Sequence, residues 1–83
     1  MSRSKSISFE NRDKYVALGL NIAYYRKRKG LTQEQLAEVA DISRGYLGVI
    51  EAPGSITNIS LETLFNIAKA LGIEPAQLLE MRK

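Results

Sequence analysis

The chain contains no cysteine and no histidine. Disulfides and thiol chemistry are therefore ruled out, and with both residues missing the usual zinc ligands and any histidine-based acid–base or Ser-His machinery go too. An extracellular scaffold stapled by disulfides is excluded. No apolar run approaches the roughly 20 residues that a membrane-spanning helix requires, and residues 1–12 lack the apolar centre of a signal peptide. The expected location is the cytoplasm, away from any membrane. A phosphate-cradling glycine-rich loop is also missing, and Glu34, Glu38, Asp41, Glu51 and Glu62 form no pattern for metal binding or paired-carboxylate catalysis. They read as helix caps and solvated faces. An enzyme is the weakest function class for this chain, and no metal, cofactor or small-molecule ligand is expected.

What is present describes a small globular domain. Eighty-three residues make one domain, and a chain of this length buries only roughly 60–65% of its unfolded surface, so stability is modest unless the protein self-associates. Apolar residues at 45% and charged ones at 25% are ordinary for a folded protein. The net charge of +3 and a pI near 9.4 are compatible with a nucleic-acid partner without arguing for one alone.

The chain is organised around TQEQLAEVADISRGYLGVIE, residues 32–51. Thr32 can N-cap a helix, and Gln35 three residues on completes a capping box. Leu36, Ala37 and Ala40 share one face of that helix. Ser43 can N-cap a second helix, running to Ala52, on which Tyr46, Leu47 and Ile50 recur at helical spacing. The first has room for about two turns, so Ala37 is small where the second crosses it. Neither is long enough to be stable alone, and the rest of the chain must support them.

That support is legible on both sides. Residues 12–29 form a helix with Tyr15, Leu18, Ile22 and Tyr25 on one face, interrupted by Gly19, which marks a close approach by another helix. It ends in Arg26-Lys27-Arg28-Lys29, where cations suit the helix dipole, and stops at Gly30. The cationic run reads equally as a solvated helix end or as phosphate-contacting. Ser60 caps a fourth helix, LETLFNIAKAL, with Gly72 as its stop and Leu61, Leu64, Phe65, Ala68 and Leu71 as an apolar stripe over the core. Pro75 opens a short fifth helix, PAQLLEM. Leu78, Leu79 and Met81 are many apolar residues for a terminal helix; some pack inward and the rest suggest a dimer interface. Residues 1–11 read as a flexible arm in which Ile7 and Phe9 alone can pack, Phe9 on the first helix or on a partner subunit. Arg3 and Lys5 could reach a groove from it, the alternative being an unattached tail.

These blocks, LGLNIAYYR, GLTQEQLAEVADIS, LGVIE, LETLFNIAKALGI and PAQLL, arrive in order from Leu18 to Leu79. Together they resemble the helix-turn-helix of the phage repressor and Cro-like, or xenobiotic-response-element, family. Cro-like repressors and restriction-modification controller proteins are its stand-alone members nearest in build. The resemblance implies an all-α fold, a compact five-helix bundle of the lambda-repressor-like DNA-binding type spanning residues 12–83. It also implies a transcriptional regulator that binds double-stranded DNA as a homodimer on a near-palindromic operator.

The resemblance places Arg44, Gly45, Gly48 and Val49 at base-facing positions of the second helix. Arg44 suits a bidentate guanine contact, with a phosphate contact or a plain surface charge as alternatives, and Val49 suits a thymine methyl. Gln33 matches a phosphate-binding position, and Ser43, which flanks the recognition helix, is likewise expected to contact phosphate. Tyr46 stands between a phosphate contact and core packing. Arg26 aligns with an arginine that pairs with the glutamate at Glu51. Two departures stand out. Asp41 replaces the usual glycine of the turn, which aspartate tolerates at small cost. The connection Ala52 to Ile59 is about two residues longer than usual and carries no charge, leaving Ser55, Thr57, Asn58 or backbone amides for phosphate contacts. A protein-interaction adaptor or antitoxin-like module on the same fold is the rival reading, supported by that uncharged loop and the bare recognition helix.

Overall fold

The computed structural model describes residues 7–81. Arg3 and Lys5 lie outside them. The described chain enters through a single 3₁₀ turn, Phe9–Asn11, and continues as five helices: α1 (Arg12–Lys29), α2 (Gln33–Ala40), α3 (Arg44–Glu51), α4 (Leu61–Leu71) and α5 (Pro75–Leu78). No strand occurs among the described residues. The Phe9 ring stays exposed and meets α1 at its first residue, with the Arg12 guanidinium 5.8 Å over its centroid.

Local chemistry fixes where each helix starts. Thr32 Oγ1 accepts from the Gln35 amide at 3.0 Å while Gln35 Oε1 accepts from the Thr32 amide at 2.8 Å. Ser43 Oγ caps α3 through the Tyr46 amide, and Ser60 Oγ caps α4 through the Thr63 amide, each at 3.0 Å. At α5, Pro75 takes the first position and Gln77 Oε1 accepts from the Glu74 amide.

Three helices end in the same way. After α1, α2 and α4 a left-handed residue, Gly30, Asp41 or Gly72, is followed by Leu31, Ile42 or Ile73, whose amides bond back to Arg26, Ala37 and Ala68 carbonyls. In each case the apolar residue after the turn packs on the core, the arrangement of a Schellman cap. Asp41 adopts φ 63° and is the one non-glycine residue with positive φ among those described. The turn between α2 and α3 thus keeps its geometry without glycine.

All five helices feed one core: Leu18 and Ile22 from α1, Leu36, Ala37 and Ala40 from α2, Leu47 and Ile50 from α3, Leu64, Ile67, Ala68 and Leu71 from α4, and Leu78 from α5. The two alanines of α2 are small because α3 and α4 both pack over them. The expected stripe on α4 is narrower than the sequence suggests. Leu61 and Phe65 face outward, and Ile67 takes the central place with no exposed surface. Likewise α5 makes a single turn instead of running through Met81. The Leu78 and Glu80 carbonyls accept from Asn21 Nδ2 of α1, at 2.9 and 2.7 Å, which ends the helix and ties it down.

Two contacts set α1 against α3. A Cβ at Gly19 would collide with the Ile50 carbonyl oxygen, so the backbones meet there without a side chain between them. Two turns on, Arg26 Nε donates to Glu51 Oε2 at 2.8 Å and Arg26 Nη2 to Glu51 Oε1 at 2.9 Å, while Nη1 donates to the Leu31 carbonyl. Both side chains of this forked pair are buried.

Two outcomes follow for stability. Gly19→Ala gains about 1 kcal/mol of helix propensity but forces a backbone oxygen to move, an overpacking cost of up to about 3 kcal/mol. Thermal unfolding should show a net loss near 2 kcal/mol, or roughly 10 °C in Tm; an unchanged Tm would contradict the close approach. Glu51→Gln leaves Arg26 a buried charge without its counterion, and urea denaturation should register a loss of roughly 3–5 kcal/mol. Replacing both residues by leucine should recover much of it.

Candidate nucleic-acid interface

The α2–turn–α3 unit presents one face of α3 to solvent. Leu47, Ile50 and Glu51 point inward, and this leaves Arg44, Gly45, Gly48 and Val49, one turn apart in pairs, on the opposite side. Arg44 and Val49 are exposed. Among the described residues Arg44 makes no hydrogen bond or ion pair, so its five N–H donors are available to an outside acceptor. At Gly45 an added Cβ would meet nothing within 4 Å, so the protein's own packing does not demand that glycine. The bare surface suits a partner that lies close to the backbone.

Around this face the polar residues have distinct settings. Ser43 uses its oxygen as an acceptor in capping α3, which leaves its O–H to donate outward. Gln33 Nε2 donates to Glu51 Oε1 at 3.0 Å, so Glu51 holds α2 as well as α1. One N–H of the Gln33 amide remains for a phosphate beside the first turn of α2.

Tyr46 is held from within the chain. Its hydroxyl donates to the Asn58 carbonyl at 2.8 Å, spending its one proton inside the chain. In this arrangement Tyr46 pins the 52–60 connection to α3. Within that connection Ser55 and Thr57 are half-buried and Asn58 is exposed; the Ser55 amide is already bonded to the Ala52 carbonyl. Asn58 is thus the one exposed member of the trio.

The terminal leucines also separate. Leu78 is wholly buried in the core and cannot serve an interface, because Asn21 draws the α5 end down onto α1. Leu79 and Met81 stay exposed, and Leu79 lines a shallow groove with Tyr15, Ile59 and Leu61. Of the cationic run, Arg26 is buried in its ion pair while Lys27, Arg28 and Lys29 face outward, Arg28 bonded to the Tyr24 hydroxyl at 2.9 Å.

Asn21 and the Gln33 bond to Glu51 were not anticipated from the sequence. Asn21 had a signal: it falls three residues after Leu18 and four before Tyr25, a polar residue on an apolar helix face. For Gln33 nothing local points to a partner on another helix. Among the described residues no group of three or more His, Cys, Asp or Glu could hold a metal ion, and no helix is long and apolar enough to cross a membrane.

Comparison with known proteins agrees with this geometry. The helix-turn-helix family pattern matches residues 22–78. The control protein C.SmaI of Serratia marcescens is 40% identical over 62 residues, which cover 75% of this chain and 71% of that one. The crystal structure of the restriction-modification controller protein C.AhdI from Aeromonas hydrophila superposes with a TM-score of 0.71 at 39% identity, covering 77% of this chain and 94% of the other. SinR of Bacillus subtilis, a master regulator of biofilm formation solved in complex with DNA, gives 0.71 at 35% identity over 76% of this chain and 98% of its own. With the pattern spanning α1 to α5 and relatives of this size and identity, the chain belongs to the helix-turn-helix family of the Cro/C1 type, a family of DNA-binding transcriptional regulators.

Proposed function

We propose that this chain is a cytoplasmic, sequence-specific transcriptional regulator that binds a near-palindromic operator as a homodimer, with no catalytic step. The observation that carries the reading is the outward face of α3. An exposed arginine without an intramolecular partner stands at the start of that helix, beside backbone left bare at Gly45 and Gly48. A helix so stripped can sit deep in the major groove, where Arg44 addresses a guanine edge and Val49 a thymine methyl. Ser43, Gln33 and Asn58 lie at the rim, suited to phosphates on either side.

Dimerisation supplies what one such helix lacks. A single short reading surface gives limited discrimination, and two of them about 34 Å apart read two successive half-sites. Leu79, which lines a groove with Leu61, and Met81 two residues on are exposed apolar residues assigned to that contact.

Selection of bound sequences from random duplex DNA tests the reading. Enrichment of a two-fold symmetric motif by the wild-type protein is the expected result, and Arg44→Ala should lose about 1–3 kcal/mol of discrimination at one base pair in each half-site. No enriched motif, or weak binding indifferent to Arg44, would sink it and favour a protein partner for the α3 face. Sedimentation should show a dimer for wild type and a monomer of unchanged melting temperature for Leu79→Lys with Met81→Lys; a dimer persisting in that variant would move the contact elsewhere.

A further inference from the structure

The outward face of α3 is bare at Gly45 and Gly48, and the two positions are not equivalent. At Gly45 a Cβ would stand in open space, whereas at Gly48 it would lie 3.3 Å from Nη1 of Arg44 and 3.8 Å from Oε1 of Gln33. The Arg44 guanidinium therefore lies back along its own helix, one turn further on, over the backbone that Gly48 leaves uncovered. No hydrogen bond or ion pair within the described chain holds it there. Gln33 is fixed by contrast: its Nε2 donates to Glu51, which turns the amide oxygen away from that carboxylate and towards the same spot.

We propose that Gly48 is a specificity-determining residue that acts through Arg44. Its missing side chain is the slot along which the guanidinium lies, with the Gln33 amide oxygen as a wall, and the slot sets which base pair Arg44 reads. The inference rests on the DNA-binding reading above. Arginine has a long, rotamer-rich stem, and its forked contact to guanine needs the guanidinium plane aimed at two acceptors at once. Lying in the slot, the head group is carried towards the base pair opposite Gly48 instead of the one opposite its own Cα. A methyl group at position 48 would lift it out. Only the far end of a flexible side chain has to move, so the aim changes while the fold does not.

The test is a double-mutant cycle on the selected operator, with selection from random duplexes run on the wild type, Gly48→Ala, Arg44→Ala and the double variant. Gly48→Ala should melt no lower than wild type, since alanine is the better helix former. It should bind the wild-type operator on the order of tenfold more weakly, and its altered preference should fall at the same base pair that Arg44→Ala relaxes. In the Arg44→Ala background, Gly48→Ala should add nothing. Additive losses would overturn the inference, because Gly48 would then serve close approach of the DNA to the backbone. Wild-type affinity and preference in Gly48→Ala would overturn it too, while an Arg44-dependent motif kept the DNA-reading function standing. A wild-type protein that enriches no motif would remove that function and this inference together.

Discussion

One buried carboxylate joins three of the five helices. Glu51, at the end of α3, accepts a forked pair of bonds from Arg26 of α1 and a further bond from Gln33 at the start of α2. A charge removed from water needs an opposite charge and satisfied lone pairs, and here a single arrangement of the three helices supplies both. The Gly19 contact with the Ile50 carbonyl adds a steric limit beside the electrostatic one. Between them α3 can neither slide along α1 nor rotate about its own axis without stranding a charge or striking backbone. A helix of eight residues, too short to hold its own shape, is made rigid in this way from beneath.

The boundaries of that scaffold could be read from the sequence because they are decided within a turn or two of chain. Thr32, Ser43 and Ser60 satisfy amides three residues ahead, and Gly30 and Gly72 supply the left-handed stops. Asp41 was legible for the same reason. The Arg26 and Glu51 partnership was visible only through family resemblance, since no local pattern joins residues 25 apart.

What stayed hidden depends on where elements finally rest. Helical spacing on α4 offers more apolar positions than the core can take, and packing against α2 chose Ile67 over Phe65. Leu78 and Leu79 are neighbours of identical chemistry; which one is buried was settled by the anchoring of α5 through Asn21, a bond spanning 57 residues. The Tyr46 hydroxyl found an acceptor in a loop whose path no propensity foretells. In the candidate site the outward residues of α3 followed from periodicity, but the lie of Arg44 across Gly48 did not, because a side chain's course over a surface is not written in residue spacing.

The connection from α3 to α4 carries no charged residue from Ala52 to Ser60. A cationic loop held against the sugar-phosphate backbone would displace condensed counterions, and that gain is the same on every stretch of duplex. Without it, attraction to any stretch of duplex, operator or not, is weaker by the same amount. The ratio of operator affinity to bulk-genome affinity is therefore unchanged, while more of the protein stays free in solution and both affinities depend less steeply on salt.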